Sequence, residues 1–567
     1  MLTRLQVRNF RSLEDLELPL GPLTAIVGPN GVGKTTILRA LNLALGDMWP
    51  SLRSFQIPQD FFQFDATRDI EIAIDFDPPY EHRDTLSHVH EITALRLTCK
   101  PYKRSGRWGE AGDHHVDLEP LDSNGDVPTV AVGQPTKGQK TQFTPLKVGT
   151  ELRDHARILF IDHRRSLAQH LPGLRGSILG RLLQKARKEF DPQQGFAQAY
   201  AQALELLRTE EVKRIEQTVA ETAKRMLGFL GRDIAESVEI CFGFADPANP
   251  LISLRLQYRE SGLTVPGEEL GLGIQSAMVV GIFEAFRQLG EKFGTVVIEE
   301  PEMYLHPQAQ RYFYRLLCEM AETDQCQVIY STHSPVFADA NRFEALRLVR
   351  KRAGQSTYMS FVHQSGTESL EAARKRLKLA GKFDAARNEV LFASRALLVE
   401  GLGDRLAALI VAEKLGLDPD AEGVAVVDCG GKSGIELVVQ VCRALDIPFV
   451  VLHDEDVWPT GDIEDQRKRS NRERQNEAET CQNERIKEAV AEAGSVFVIS
   501  PTLEDVLGIG ADASDKPRRI AETLAQLDTD ASSPQLRPLI DAVRTLFNMS
   551  GEAEKRQAGI LESPGLP

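Results

Sequence analysis

The chain has 567 residues, 42% of them apolar and 26% charged, which is enough for two to four globular domains with ample cores. The net charge of −15 excludes a general basic surface as the means of gripping nucleic acid, so any such substrate must meet local basic patches or bound cations. Seven scattered cysteines without a CxxC pair argue against a zinc site and suit a reducing compartment.

The opening "MLTRLQVRNFRS" has neither the apolar core nor the small-residue cleavage site of a secretory signal. The longest apolar run, "SAMVVGIFEAF", is interrupted by Glu284 and falls short of the ~18–20 residues of a membrane span. A cytoplasmic protein without membrane contact is expected.

At 23–41, "LTAIVGPNGVGKTTILRAL" places a short apolar strand before Gly28–Thr35, which fits GxxxxGK[ST], and a helix after it. That context is the one a phosphate loop requires. Backbone N–H groups around Asn30, Gly31 and Gly33, with the helix start at Thr36, are expected to cradle ATP phosphates. Lys34 is expected to reach the β/γ-phosphates and Thr35 to ligate Mg²⁺.

Residues 70–76 and 92–99 alternate apolar and polar, as antiparallel strands do. Residues 103–145 read as a loop or β-excursion. "RILFIDHRRS" sets His163, Arg164 and Arg165 at a strand end, where solvated or structural charge is the plainer reading. From 165 to 230 the pattern is helical, either an inserted hairpin arm or a cap on its own domain.

"ELGLGIQSAMVVGIFEAF" opens a helix with Gly271, Gly273, Gln275 and Ser276, small residues suited to an anion at a helix start. "GTVVIEEPE" is a strand ending in Glu299, expected in the Mg²⁺ shell, and Glu300, expected to polarise the attacking water. "QVIYSTHSP" ends at His333, a γ-phosphate sensor in that series.

The order GPNGVGKT, LGLGIQS, VVIEEPE, STHSP resembles the ABC-type ATPases of the SMC-like branch. The resemblance implies that Gly273 and Gln275 of one subunit close on the nucleotide of another, hence a homodimer or higher oligomer. Gly271 stands where that family usually has Ser, and Glu299 where it has Asp. Both departures bear on fast hydrolysis more than on binding, and the Q-loop glutamine that the resemblance implies is left open between Gln56 and Gln59 of "SFQIPQDFF".

"SRALLVEGLGDRLAAL" is a strand ending in Glu400, followed by a glycine turn and Asp404. "GVAVVDCGGKSG" is a second strand with a glycine loop and a helix from Ile435, and "PFVVLHDEDVW" is a third strand. Strand–helix alternation at this spacing predicts a parallel sheet, whose functional residues collect at the carboxyl ends. Glu400, Asp404, Asp454 and Asp456 are expected at one edge, with Asp454 and Asp456 on one side by strand alternation. Four such carboxylates need a cation, and hard oxygens suit Mg²⁺ or Mn²⁺. "ISPTLEDVLGI" adds Glu504 or Asp505 as a ligand, or a capping acid after Thr502. Residues 464–493, around "RKRSNRER", read as a mixed-charge helix with a solvated face.

Glu-Gly-x-x-Asp followed by Asp-x-Asp resembles the Toprim fold of topoisomerases, primases and nucleases. No tyrosine follows residue 390 to act as a topoisomerase nucleophile, and no cysteine cluster suggests a primase. Two-metal phosphodiester hydrolysis remains.

The pairing of this ATPase with a C-terminal Toprim domain resembles the overcoming-lysogenization-defect (OLD) family, with the Gabija defence nuclease in the same broad group. The resemblance implies an α/β chain: an SMC-like ABC ATPase with an inserted helical arm, then a Toprim domain with a parallel sheet. Its expected limits are 1–162 and 233–375 for the ATPase halves, 163–232 for the insertion and 390–567 for the Toprim domain. It also implies a basic catalytic residue near the C-terminus, for which Lys555 is the candidate, and in some members a UvrD-like helicase partner. The expected activity is an ATP-binding, divalent-metal-dependent DNA endonuclease regulated by its ATPase domain, in phage defence or DNA processing. An SMC-like DNA clamp without nuclease activity, or a signalling ATPase that binds no DNA, are the alternatives.

Overall fold

In a computed structural model, the structure describes residues 1–102, 112–132, 142–162, 177–183, 209–227, 238–242, 254–260, 263–289, 294–323, 326–351, 357–360, 386–461, 463, 465–510, 515–526 and 534–557. His163, Arg164 and Arg165 lie outside them. Two compact units emerge, one of Met1–Ile26 with Gly33–Phe337 and one of Val27–Val32 with Ala338–Pro567.

In the first unit, β1 (Leu2–Phe10), β2 (Leu13–Pro19), β4 (Ile70–Arg83), β5 (Val89–Pro101) and β6 (His114–Leu121) form an antiparallel sheet in the order β2-β1-β4-β5-β6. The stretches read at 70–76 and 92–99 pair antiparallel within these strands, with a register shift after Asp75, and Ile70, Ile72 and Ile74 are buried. Between β2 and β4 lies β3 (Leu23–Val27). The stretch read as a β-excursion contains the hairpin β7 (Thr129–Val132) and β8 (Gln142–Pro145).

A second sheet runs β3-β14-β13-β9, with β9 (Ile158–Ile161), β13 (Gly294–Glu299) and β14 (Cys326–Thr332). β13 pairs parallel with both β9 and β14 and sets Glu299 opposite Ser331. Buried Gln327 ties the two sheets together. Its Oε1 accepts from Leu2 N and Thr295 Oγ1, and its Nε2 donates to Leu2 O and Gly21 O.

A small antiparallel sheet holds β10 (Val238–Phe242), β11 (Leu254–Glu260) and β12 (Leu263–Pro266). The helix Glu210–Leu227 packs on the helix Leu272–Leu289. Val212, Ile215, Val219, Ala223 and Met226 form its buried stripe. A Cβ at Gly281 would lie 2.9 Å from the Cα of Val219, so glycine permits this close approach.

The second unit contains the hairpin β15 (Leu346–Lys351) and β16 (Thr357–Ser360), and a parallel sheet of β17 (Arg395–Val399), β18 (Val424–Asp428), β19 (Phe449–Asp454) and β20 (Ser495–Ile499). The sheet order is β18-β17-β19-β20 and every neighbouring pair is parallel. β17 and β19 are buried at every residue, as central parallel strands require. Leu397, Val399, Val450 and Leu452 pack with Ala408, Val411, Ile520, Leu524, Leu539 and Val543 from the helices Leu402–Lys414, Lys516–Gln526 and Arg537–Gln557. The helix after the glycine loop runs from Lys432 to Ala444. It begins three residues before the expected Ile435, because Gly430 and Gly431, with φ of 71° and 108°, complete the turn.

Gln327→Met keeps the size of the side chain and strands three buried polar groups and the partly buried Gly21 carbonyl. It should lower stability by about 2–4 kcal/mol. Chemical denaturation of the purified variant measures this, and a loss below about 1 kcal/mol contradicts the bridging role.

Candidate active site

The phosphate loop ends in a turn that glycine adopts without strain. Gly31 has φ 75° and Gly33 φ 110°, the left-handed backbone that turns N–H groups inward. Asn30 and Gly31 are exposed, whereas Lys34 and Thr36, at the start of the helix Lys34–Leu45, are buried. Lys34 Nζ lies 3.4 Å from His333 Nδ1, and His333 Nε2 lies 3.4 Å from Glu300 Oε1. Burial lowers the Lys34 pKa to about 8 against the opposing pull of Glu300, Glu302 and Glu299. The same burial, together with Lys34, lowers that of His333. Thr35 Oγ1 donates to Glu299 Oε1 at 2.5 Å. The two expected Mg²⁺ ligands therefore meet directly, although they are 264 residues apart.

The sequence reading missed Glu302. Its Oε1 accepts from His333 N, Ser334 N and Thr332 Oγ1 at 2.6, 3.1 and 2.9 Å, so it fixes the loop that carries His333. Its Oε2 is buried without a partner, and burial raises its pKa. The third acid of "EEPE" was the available signal.

At the other helix start, Gly271 and Leu272 are exposed. Gly273 sits close to the Tyr304 carbonyl, and Tyr304 is itself exposed. Gln275 is buried and its Nε2 donates to Leu270 O, so this side chain braces its own loop. Gln56 and Gln59 are both exposed.

In the second unit the carboxyl ends of β17, β18 and β19 bring acids together. Glu400 follows β17, Asp428 ends β18 and Asp454 ends β19. Asp404 lies in the first turn of Leu402–Lys414, where its Oδ2 accepts from Gly401 N at 3.0 Å. Asp454 Oδ1 accepts from Leu503 N at 3.1 Å. Burial raises the Asp454 pKa to about 9, with Asp404, Glu400, Asp456 and Glu504 adding to it. Burial and Asp456 raise that of Glu400 to about 7, and burial raises that of Asp404 to about 6. Glu400 Oε2 is buried and has no hydrogen-bond partner.

Asp456 lies beyond the strand, with φ 58°, so strand alternation does not set its direction. Its Oδ2 pairs with buried Lys432 Nζ at 2.8 Å. Glu455 turns to Ser500, whose Oγ donates to Glu455 Oε2. Thr502 caps the short helix Leu503–Val506 by accepting from Asp505 N. Asp505 Oδ2 accepts from Thr502 Oγ1 and Trp458 Nε1, so Asp505 is structural. Glu504 is within electrostatic reach of Asp404 and Asp454 and lies 3.5 Å from Lys516 Nζ. Lys555 falls within the last helix, and its side chain lies outside what the structure describes.

Among the described residues no three His, Cys, Asp or Glu side chains are gathered at metal-ligand spacing. Each acid instead has a protein partner, apart from the free oxygen of Glu400. The donor set is nevertheless one of hard oxygens that burial and mutual repulsion make costly to ionise. A divalent cation fits that chemistry. Glu400, Asp404, Asp454, Asp456 and Glu504 are the residues able to supply ligands. Lys432 and Asp428 escaped the sequence reading; "GGKSG" registered only as a glycine loop.

The family described as "AAA domain" matches residues 4–98 and "AAA ATPase domain" matches 157–338. The family "Overcoming lysogenization defect protein-like, TOPRIM domain" matches 391–456. The chain is 65% identical over 544 residues to the OLD nuclease of Thermus scotoductus, covering 96% of this chain and 98% of that one. It is 26% identical over 187 residues to the Old nuclease of Escherichia phage P2, 32% of each chain. Among solved structures, an SMC head bound to the C-winged helix domain of ScpA matches at 14% identity and TM-score 0.39, over 65% of this chain and 99% of that one. No described helix is long and apolar enough to cross a membrane.

The raised carboxyl groups give a pH dependence of definite sign. With its pKa at about 9 against an ordinary 3.8, folded Asp454 retains a proton that the unfolded chain releases. Stability of the chelated protein should therefore fall as pH rises between those values. Melting in EDTA should be lower at pH 9 than at pH 6, and Mn²⁺ should raise it more at pH 9, because metal and proton compete. Asp454→Asn should flatten the slope; an unchanged slope in that variant contradicts the assignment.

Proposed function

Because the chain belongs to the OLD nuclease family, we propose that it is a divalent-metal-dependent DNA endonuclease whose Toprim site is regulated by nucleotide at its ATPase site. The observation that carries this reading is the cluster of Glu400, Asp404 and Asp454 at the carboxyl edge of a parallel sheet. Burial opposes the ionisation of all three, and Glu400 has an oxygen without a protein partner. Mg²⁺ or Mn²⁺ held there supplies Lewis acidity toward a phosphodiester and lowers the pKa of water. Glu400, Asp404, Asp454 and Asp456 are the proposed ligands, with Glu504 at the margin and Lys555 as the proposed basic assistant.

ATP is assigned to the phosphate loop. Asn30, Gly31, Gly33 and Thr36 surround the phosphates, Lys34 neutralises them, and Thr35 with Glu299 holds Mg²⁺. Glu300 orients the attacking water and His333 faces the γ-phosphate, in keeping with the Lys34–His333–Glu300 chain of contacts. The exposed start of Leu272–Leu289 supports a homodimer or higher oligomer in which Gly273 approaches the nucleotide of a second copy, with buried Gln275 bracing the loop that presents it. The limits 1–162, 163–232, 233–375 and 390–567 are retained for the ATPase halves, the insertion and the Toprim domain. Phage defence or DNA processing is the proposed setting, in the cytoplasm.

Plasmid nicking by purified variants tests both sites. Asp454→Ala should lose cleavage by at least ~100-fold in either metal, more than loss of an outer hydrogen-bonding partner costs. Its ATP binding should persist. Lys34→Ala should lose ATP binding and retain metal-supported nicking at an altered rate. If Asp454→Ala cuts as well as the parent, the Toprim cluster is not the nuclease site.

A further inference from the structure

The loop that carries Asp456 is held from two sides. On one, Lys432 at the first turn of Lys432–Ala444 is 4% exposed. Its ammonium donates to Asp456 Oδ2 at 2.8 Å, Glu479 Oε2 at 2.9 Å and Glu455 O at 3.3 Å. All three N–H bonds are thus committed. On the other side stands the helix Gln466–Val490. Asn483 Nδ2 donates to Glu455 O at 2.7 Å, and Asn476 exchanges hydrogen bonds with the Trp458 backbone at 2.8 and 3.3 Å. The Arg472 guanidinium lies 4.9 Å from the Trp458 ring centre. Positions 472, 476, 479 and 483 are spaced four, three and four, which is one stripe of a helix. The helix expected to be merely solvated therefore presents one polar stripe to the segment Glu455–Trp458.

We propose that Lys432, anchored by Glu479, is a positioning residue that holds Asp456 in place to serve as a metal ligand. A buried lysine facing a carboxylate alone would compete with a cation for it. Here two of the three acceptors, Glu479 and the Glu455 carbonyl, anchor the ammonium independently of Asp456. The contact to Asp456 uses Oδ2, and Oδ1 is the oxygen left for a cation. Asp456 lies past the strand with a left-handed backbone; its N–H is tied to Pro501 O at 2.9 Å, and its carboxylate is held by Lys432.

This inference rests on the metal reading of the Toprim site, and the test separates the two. Mn²⁺ binding to the full-length chain is measured by calorimetry alongside plasmid nicking. Lys432→Met should weaken Mn²⁺ binding about 10–100-fold, the usual effect of removing an outer-shell partner, with Lys432→Arg recovering part of the loss. Asp456→Asn should weaken it as well. The double variant should be little worse than Asp456→Asn alone, because Lys432 acts through Asp456. Multiplying losses, or unchanged Mn²⁺ binding in Lys432→Met, overturn the proposal. If circular dichroism shows Lys432→Met unfolded, Glu479→Gln decides: weakened Mn²⁺ binding supports the anchor and parent-like binding overturns it. A parent chain that takes up no Mn²⁺ overturns the metal reading and this inference with it.

Discussion

Carboxylates buried beside one another oppose each other's ionisation, and at the edge of the β18-β17-β19-β20 sheet that opposition falls hardest on Asp454. The parallel topology creates the problem. Strands β17 and β19 are buried throughout and neighbours in register, so the acids that follow them emerge together. The surrounding structure meets the charge locally: Gly401 N on Asp404, Leu503 N on Asp454, Lys432 on Asp456 and Lys516 near Glu504. Glu400 Oε2 is left over. The chemistry of such a site suits a divalent cation.

The ATPase unit applies the same principle with the opposite sign at its centre. Lys34 is the buried charge, and Glu299, Glu300 and Glu302 offset its burial. These acids divide the work. Glu299 meets Thr35, Glu300 meets His333, and Glu302 ties down the backbone of the His333 loop. Rigid support from Glu302 keeps His333 near Lys34 without engaging His333's ring nitrogens. Position here depends on parallel β13 and β14, which set Glu299 opposite Ser331 and bring "EEPE" to "STHS".

Much of this was legible in the chain itself. The phosphate loop, the strand-ending acids and the strand–helix alternation after residue 390 are local patterns with local causes. The glycine turn, the apolar strand and the helix each form over fewer than about twenty residues. The roles of Glu302, Lys432 and the 472–476–479–483 stripe were not legible. Each depends on a partner in a distant part of the sequence: Lys432 on Glu479, 47 residues away, and Glu302 on His333, 31 residues away. A lysine in a glycine loop and a charged helix have the same local signature whether they face water or an acid.

The sequence alone determined which residue types end which strands, and with them the expectation of phosphate and metal chemistry. Strand periodicity also determined that Glu400 and Asp454 lie on one edge. Strand alternation did not set the direction of Asp456, because the strand ends at Asp454 and a left-handed residue follows, although Asp456 still lies beside Glu400 and Asp454. What only the tertiary structure decided is how each carboxylate is held: which oxygen is spent on a backbone N–H, which on a buried lysine and which is left without a partner. Such assignments follow from distances across the fold and from the burial of both partners, neither of which is encoded in any one stretch of chain.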